Sequence, residues 1–481
     1  MGIGVEVTTS LRSGPSNPGA ISGRLLIGGL TEYGPVDRTV LVKSIAGFET
    51  AFGQRTAYAS NVYDSARTFF EEGGSELLVA RAVGPAATAG FVTLKDTAAV
   101  DTVKVESATP GAHSAALSVE VTVSAGTFTV SIRRDGELVG LFRNMATVAD
   151  FVAAAASNAV VTVTDMGSIT AAPGNVPVAI APTVFSAGSD DRAAVTAAIV
   201  VEAMANPGPS IRGGAIATPG YPATIVGEAL MTLAKDQNAI ALLASSETAT
   251  AAEAKLDAAE LISRDGGYGG IFYPYIVIPD GSGTRTISPE SYVGAVRARA
   301  HVQAGFWKVP AGDIALPKWI IGTVIPVDRK TNDSLNEAQV NAITTIGSTP
   351  RLYGWASLTT DLENLRLLTA QDSLNNLGLR VEDVLEEFVY EVNDGKGHLR
   401  SKVESAIKGV LDPIARMNGF YPLTRDGEEL DPGYAVVVDE TLNTAASISN
   451  NELRASVSVR LSPTAALIRV EIIKVALTAA A

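Results

Sequence analysis

The stretch GAIATPGYPATIVGEALMTLAKDQNAIALL, residues 214–243, decides the fold class of this 481-residue chain. It begins with the apolar run Gly214–Thr218, continues through a segment of helical length, and ends in a second apolar run, Ala239–Leu243. Short apolar runs that alternate with helical segments are typical of parallel strands joined by crossover helices. A third run, Gly270–Ile278, is expected to be a further strand. From about residue 190 to 322, the sequence therefore predicts a parallel α/β layer.

The same pattern occurs near the start of the chain, and a different one interrupts it. Arg24–Leu30 and Leu77–Val83 are predicted strands, and Ala57–Glu72 between them is a predicted helix that two glycines end. From about Gly90 the composition shifts to Val, Thr, Ala and Ser, with alternating segments and a hairpin turn at Arg134–Glu137. This region is predicted to be a small, mostly β insertion.

After residue 322 the pattern is mixed. Ser334–Glu337 has the form of a capping box ahead of a helix. A longer helix is predicted near residues 399–414, with Gly419 as its stop, because apolar residues recur at helical spacing. Those residues are Leu399, Val403, Ile407, Val410 and Ile414. The fold class is therefore α/β and α+β in several domains, with a mixed C-terminal domain.

These shifts predict five segments of chain. They are an N-terminal arm at 1–20, a discontinuous α/β middle domain at 21–95 and 188–322, a β-rich inserted outer domain at 96–187, a C-terminal domain at 323–466, and a C-terminal arm at 467–481. We expect the insertion to project from the two middle-domain segments, which pack together.

Both chain ends have the alternating pattern of a strand. The apolar positions are Ile3, Val5 and Val7 at one end and Ile468, Val470, Ile472, Val475 and Leu477 at the other. The alternation slips by one position at Ile472–Ile473, which suggests a bulge or a change of sheet. Ser13–Gly19, rich in Pro and Gly, predicts an extended linker after the first strand. The pattern alone leaves open whether these strands join their own sheet or that of a neighbour.

Composition excludes several classes of function. The net charge is −14, from 37 basic and 51 acidic residues, and no basic cluster offers a surface for nucleic acid. The absence of cysteine excludes disulfides, thiolate metal sites and cysteine catalysis. No apolar run is long enough to span a membrane, and no N-terminal segment has the pattern of a signal peptide. We therefore expect a soluble protein made in a cytoplasm.

No constellation of residues points to catalysis. The histidines, His113, His301 and His398, have no metal-ligand spacing. There is neither a nucleophile elbow nor a phosphate-binding loop, and Gly266–Gly270 precedes a strand, which indicates a turn. Three aspartates near strand ends are expected to have turn or cap roles; they are Asp265, Asp280 and Asp328. We predict that the chain is not an enzyme and uses no cofactor or metal.

Several segments, in order, resemble the contractile tail sheath proteins of bacteriophages and related contractile injection systems. The matching segments are Thr31–Val36, Leu41–Ser44, Phe48–Gly53, Phe69–Gly74, Val79–Arg81, Pro289–Arg299, Gly305–Gly312, Asn336, Asn341, Tyr353–Trp355, Glu391–Asn393 and Asn443–Thr444. The resemblance covers most of the chain outside the insertion. Within Pro110–Ala115, His113 stands where the family often has Trp-Gly-Asn, so we interpret it as a packing substitute. Ser462–Ile468 also departs from the family pattern ahead of the last strand.

The resemblance implies a structural subunit that assembles into a helical stack of hexameric rings around an inner tail tube. Contraction of that sheath would drive the tube through the host cell envelope. The implied partners are further copies of the chain, the inner tail tube protein, and the baseplate and tail terminator proteins. The implied location is the virion, with assembly in the host cytoplasm. In this family the terminal arms cross to neighbouring subunits and complete a sheet there, which is strand addition.

Two other interpretations stay open from the residues. One is an α/β hydrolase-like enzyme with an appended β domain, and the other is a different virion structural protein. A sheath protein would sediment as tubes, whereas an enzyme would show turnover in the supernatant.

The histidines provide a first test. We expect His113→Asn, His301→Asn and His398→Asn each to leave tube formation unchanged, because no pair of them forms a site. Sedimentation and electron microscopy of each purified variant would measure assembly. Loss of tubes in one variant would reveal a structural role that the spacing does not show, and His301 is the first place to look for one.

Overall fold

The computed structural model describes residues 21–466 apart from 125, 282, 348 and 426–427. The described residues fall into two compact units. The first comprises those up to Gln303 together with Pro310–Asn375, and the second comprises Ala304–Val309 together with those from Asn376 onwards. Both predicted arms, 1–20 and 467–481, lie outside the described residues.

The strands, in chain order, are β1 (Leu25–Gly29), β2 (Val40–Val42), β3 (Leu77–Arg81), β4 (Phe91–Lys95), β5 (Asp101–Ser107), β6 (Leu117–Ser124), β7 (Thr127–Arg134), β8 (Glu137–Met145), β9 (Val161–Asp165), β10 (Ile180–Val184), β11 (Ala215–Ala217), β12 (Ile240–Ala244), β13 (Gly269–Tyr273), β14 (Ile276–Asp280), β15 (Gly283–Ile287), β16 (Gly322–Thr323), β17 (Val340–Ile346), β18 (Thr349–Leu352), β19 (Leu423–Arg425), β20 (Glu428–Asp431), β21 (Tyr434–Val437) and β22 (Ser456–Val459).

The helices, in the same order, are α1 (Ile45–Phe52), α2 (Ser60–Glu71), α3 (Val148–Ala155), α4 (Ala197–Met204), α5 (Ala223–Asp236), α6 (Ala251–Leu261), α7 (Glu290–Ala304), α8 (Arg329–Glu337), α9 (Leu368–Leu385), α10 (His398–Arg416) and α11 (Ala445–Ser449).

The first unit is built on an eight-stranded sheet with the order β18-β17-β13-β12-β11-β1-β3-β2. From β17 to β3 each neighbouring pair is parallel, and β18 and β2 are antiparallel edges. Every residue of β1, β3, β11, β12 and β13 is buried, as expected for parallel strands covered on both faces. The predicted parallel α/β layer is confirmed.

Local sequence explains the β11–α5–β12 unit. Pro222 is the N-cap of α5, where its missing N–H costs no helical hydrogen bond. Val226, Leu230 and Leu233 recur at helical spacing and are buried against the sheet. Asn238 takes a left-handed conformation, with φ of 49°, which returns the chain from the helix to β12.

Residues 91–184 form two smaller sheets with the orders β4-β5-β9 and β10-β6-β7-β8. No strand among the described residues of this region pairs with the eight-stranded sheet. These sheets and α3 enclose their own apolar cluster, which includes Val103, Phe128 and Phe151. The chain enters and leaves the region side by side, because Thr88 and Ser189 exchange two backbone hydrogen bonds of 2.8 Å.

The predicted strand at Gly270–Ile278 is wrong as a single element. The structure divides it into β13, which ends at Tyr273, and β14, which begins at Ile276 and belongs to a separate three-stranded sheet. Pro274 lies between them, and because proline has no N–H to donate, it cannot continue a central strand.

The predicted capping box at Ser334–Glu337 is also wrong, because it marks the end of a helix. The N-cap of α8 is Asp328, whose side chain accepts a 2.7 Å hydrogen bond from the backbone N–H of Thr331. Gln339, with φ of 59°, then turns the chain into β17. The earlier aspartate caps the helix, so the pattern at Ser334 has no capping role.

Helix α7 is buried along most of its length, although it carries charged side chains. Glu290, its first residue, is 1% exposed, and its Oε2 atom has no hydrogen-bond partner. Burial raises the pKa of this carboxyl from 4.5 to about 7, against the opposing effect of a hydrogen bond from Ser288. The folded protein therefore holds this proton more tightly than the unfolded chain does.

We expect the free energy of unfolding to fall as pH rises from about 4.5 to about 7, the window between the unfolded and folded pKa values of Glu290. Above that window the ionised, buried carboxylate costs up to about 3 kcal/mol. Glu290→Gln should therefore raise the melting temperature at pH 8 and have little effect at pH 4.5. Thermal unfolding followed by circular dichroism across this pH range would measure it.

Glu260→Gln is the matched control, because Glu260 is exposed on α6. This substitution should leave the pH dependence of the melting temperature as it is in the parent protein. If Glu290→Gln gives the same melting temperature as the parent at pH 8, the buried carboxyl does not limit stability.

Candidate assembly site

The residues predicted to join subunits lie outside the described residues. They are Ile3, Val5, Val7, Ile468, Val470, Ile472, Val475 and Leu477, and their pairing stays a prediction. The structure does describe the second unit. Its last described strand, β22, ends at Val459, and the predicted C-terminal arm begins eight residues later.

Helix α10 organises the core of the second unit. Its buried residues recur three or four positions apart, and they are Leu399, Val403, Ile407, Leu411 and Ile414. They pack with Phe306, Leu377, Phe420 and Val438. The predicted helix is confirmed, but Leu411 takes the buried position that the spacing assigned to Val410, which is only half-buried.

Two two-stranded sheets accompany this helix, β19 with β20 and β21 with β22. Sheets of two strands are marginally stable by themselves, and a third strand or a packed face is needed. In the second pair, Tyr434 lies opposite Val459, and Val436 lies opposite Val457. Within the described residues, the outer edges of both sheets have no further strand.

One face of the β21–β22 pair is incompletely covered. In an antiparallel pair, opposite residues point to the same face, and so do residues two apart. Tyr434, Val436 and Val459 pack against the α10 cluster, but Val457, on the same face, is 37% exposed. The described residues therefore leave an apolar position open beside the edge of β22.

Arg460 fixes the chain directly after β22. Its guanidinium donates 3.1 Å hydrogen bonds to the Tyr421 carbonyl and to Asp431 Oδ1, and its N–H donates to the Gly433 carbonyl at 2.7 Å. The N–H of Gly433 and the charge of Arg460 lower the pKa of Asp431. Gly433 has φ of +84°, and a Cβ there would lie 2.6 Å from the Tyr421 carbonyl oxygen, so only glycine fits.

Asn443 closes the loop between β21 and β22. Its Nδ2 donates to the carbonyls of Asp439 and Arg454 at 3.0 and 2.8 Å, and its Oδ1 accepts from the Arg454 N–H at 2.7 Å. Thr444 follows as the N-cap of α11. The sequence pattern indicated Asn443 and Thr444 only as positions that match the family, and it gave Arg460 no role. The turn residues Asp431-Pro432-Gly433 were the feature of the sequence that could have indicated the contacts of Arg460.

The histidines are dispersed, and none forms a catalytic arrangement with another. His113 Nε2 lies 3.3 Å from Ser107 Oγ and 3.2 Å from Thr109 Oγ1, and burial with nearby Arg81 and Arg134 lowers its pKa to about 3. So low a pKa makes His113 a poor base at neutral pH.

The other two histidines differ in their surroundings. His301 is buried beside Asp372 in the first unit. His398 is exposed in the second unit, and its Nδ1 lies 2.6 Å from Asp394 Oδ2. Their replaceability stays a prediction.

The three aspartates near strand ends have structural contacts. Asp328 is a helix cap, as predicted, Asp265 pairs with Lys235 at 3.0 Å, and Asp280 pairs with Arg285. In the described part of the chain, no group of three or more His, Asp or Glu side chains is placed to hold a metal ion. Nor does any described helix combine the length and apolar character that crossing a membrane requires.

Several solved structures that share this fold are contractile sheath proteins or parts of contractile assemblies. A sheath tail protein from Listeria innocua matches with a TM-score of 0.61 and 11% identity, covering 87% of this chain and 88% of that one. The sheath complex of the extracellular contractile injection system PVC, in its contracted state, matches with a TM-score of 0.58 and 13% identity, over 98% and 97% of the two chains.

A third match comes from a baseplate. A chain of the anti-feeding prophage baseplate in its contracted state matches with a TM-score of 0.56 and 18% identity, over 99% and 98% of the two chains. No sequence model of a protein family matches this chain, and no curated protein matches it in sequence. Over nearly its whole length, the chain has the mixed α/β fold of contractile sheath proteins.

Proposed function

We propose that this chain is a structural subunit of a contractile sheath, which polymerises into a helical tube and shortens to drive an inner tube forward. The observation that carries the proposal is the extent of the fold match, which covers 98% of this chain and 97% of a subunit from a contracted sheath complex. A match to a single shared domain would leave a large part of either chain uncovered. Here the β insertion and the second unit are included.

The proposal defines a set of partners. Head-to-tail contacts between identical subunits generate a helix when the rotation does not close, so the main partner is a second copy of the chain. The inner tail tube protein would lie inside the tube, and the baseplate and tail terminator proteins would bind at its ends. The match to a baseplate chain supports association with a baseplate. The protein would be part of a phage tail or related particle, assembled in a host cytoplasm, without binding nucleic acid or entering a membrane.

The predicted division into domains belongs to the same proposal. We infer that the β-rich region projects from the α/β layer, and that the α/β layer supports the sheath wall. The paired backbones of Thr88 and Ser189 close the base of that region. Just beside them, Arg81 and Asp190 form an ion pair of 3.2 Å, with both side chains at most 3% exposed. A base closed in this way would let the sequence of the inserted region change without disturbing the eight-stranded sheet.

We infer that the open apolar position at Val457 receives a strand from a neighbouring subunit. A third strand beside β22 would hydrogen-bond to its free edge and cover the exposed side of Val457. The predicted arms supply strands with alternating apolar residues, which is the pattern that strand addition needs. An enzyme has less support, because the described histidines are dispersed and His113 is a poor base at neutral pH.

Removing residues 1–19 should give a folded, soluble protein that no longer polymerises, because the described residues form extensive apolar cores of their own. Val470→Lys with Ile472→Lys should have the same effect. Each replacement removes about 1.5–3 kcal/mol of free energy from burial of the side chain, and it puts a charge into the contact between subunits. Circular dichroism would report folding, and sedimentation with electron microscopy would report tubes.

Two results would contradict the linkage by arms. If the truncated protein unfolds, the arm belongs to its own subunit. If it still forms normal tubes, the arm does not join subunits.

The acceptor side can be tested separately. Val457→Asp should leave the protein folded, because the side chain is 37% exposed, but it should stop tube formation by placing a carboxylate where the added strand would pack. Val123→Asp is the control, since Val123 is a strand valine of 48% exposure in the inserted region. We expect that control to sediment like the parent. Normal tubes from Val457→Asp would place the acceptor elsewhere.

A further inference from the structure

The first described residues of the chain are held by a side chain from a distant helix. Ile21–Gly23 form a single turn of 3-10 helix, and Ser22 within it is only 3% exposed. The carbonyl of Ser22 accepts a hydrogen bond from Nη1 of Arg297, which lies on α7. This turn is the point at which the predicted N-terminal arm joins the first unit.

Arg297 is bound on its other nitrogens as well. Its Nε donates to Asp372 Oδ2 at 2.7 Å, and its Nη2 donates to Asp372 Oδ1 at 2.6 Å and to the Gly213 carbonyl at 2.8 Å. The side chains of Arg297 and Asp372 are 1% and 2% exposed. One guanidinium therefore connects the turn at Ser22, the start of α9, and the segment that leads into β11.

His301, one helical turn after Arg297, completes the cluster. Its Nε2 lies 3.3 Å from Asp372 Oδ2. Burial and the charge of Arg297 lower the pKa of His301, so it is neutral at neutral pH. Burial alone would raise the pKa of Asp372, but Arg297 and His301 outweigh it and the pKa is lowered. At neutral pH the cluster is therefore an ionised Arg–Asp pair beside a neutral imidazole.

Stability alone does not account for an arginine at this place. A buried ion pair returns little net stability, because removing two charges from water costs about as much as their attraction gains, and well-packed apolar residues serve a core as well. A guanidinium, however, can hold a carboxylate with one edge while it donates to a carbonyl on another. The features that an apolar pair could not reproduce are the bonds to the carbonyls of Ser22 and Gly213.

We propose that Arg297, oriented by Asp372, is a positioning residue that anchors the base of the N-terminal arm to α7 and α9. Tension on an arm held by a neighbouring subunit would then pass into α7 and the buried first half of α9, and β1, which follows at Leu25, would not be pulled from the sheet. This inference rests on the proposed function, because it assumes that the arm joins subunits.

The test replaces the ion pair by apolar residues of similar length, Arg297→Met with Asp372→Leu. This double variant leaves no unpaired buried charge, so we expect it to fold, as circular dichroism would show. Backbone hydrogen exchange of residues 21–24, followed by mass spectrometry, should become about tenfold faster or more, the usual effect of losing one charge-assisted hydrogen bond. Sedimentation should show fewer tubes than for the parent.

Arg81→Met with Asp190→Leu is the matched control. It removes another buried ion pair of the same unit, which does not contact Ser22. Exchange of residues 21–24 in this control should equal that of the parent. If the first double variant fails to fold, Arg297→Lys is tested in its place. A lysine ammonium can reach either the Asp372 carboxylate or the Ser22 carbonyl, but it cannot donate to both as the guanidinium does.

The two readouts separate this inference from the proposed function. Exchange at residues 21–24 that equals the parent value in the double variant would overturn the anchor, whatever the assembly result. Faster exchange with normal tubes would show that assembly does not need the anchor, and would overturn it too. Faster exchange with fewer tubes supports it. Failure of the proposed function itself would instead appear as a parent protein that forms no tubes, and failure of the linkage by arms as normal tubes from the protein that lacks residues 1–19.

Discussion

Helix α7 buries two guanidinium groups inside the first unit, and the surrounding chain is arranged to pair them. Arg297 is 1% exposed and Arg299 is 7% exposed. An unpaired charge in such a place would cost several kcal/mol, so carboxylates and carbonyls from distant segments have to meet them. Arg297 meets Asp372, and Arg299 lies 3.7 Å from Glu72, the residue that follows α2.

The effect of Glu72 extends further than its ion pair. Its fully buried carboxylate also accepts hydrogen bonds from the backbone N–H groups of Lys318, Trp319 and Ile320, at 2.8 to 3.1 Å. A loop far along the chain is thereby fixed beside the end of α2. Polar contacts of this kind add little net stability, but they allow only one arrangement of the segments that they join.

The second unit is built differently. Its core is one stripe of apolar residues on α10, together with two sheets of two strands each. Sheets so small are marginally stable by themselves, so the β21–β22 pair depends on its packing against the α10 cluster. Arg460 and Asn443 hold the ends of β21 and β22 in register.

Sequence patterns were reliable where one strong local signal acted alone. Buried runs such as Ile240–Ala244 were found because a strand covered on both faces has few polar residues. The errors at Pro274 and Asp328 arose where two local signals competed, an apolar run against a proline and one capping pattern against an earlier cap. Val410 and Leu411 were exchanged because both fit helical spacing, and only packing decides which one faces the core.

The sequence by itself determined the parallel α/β layer, the β character of the insertion, the amphipathic helix α10 and the resemblance to sheath proteins, because these depend on residues close together along the chain. Only the tertiary structure decided that Arg297 meets Ser22 and Asp372, respectively 275 and 75 residues away, and that Glu72 binds the N–H groups near Trp319. Composition and periodicity give no sign of such partners, since a charged residue inside a helix usually faces solvent. It was the folding of the sheet and its helices that brought these groups together and removed the water that would otherwise have bound them.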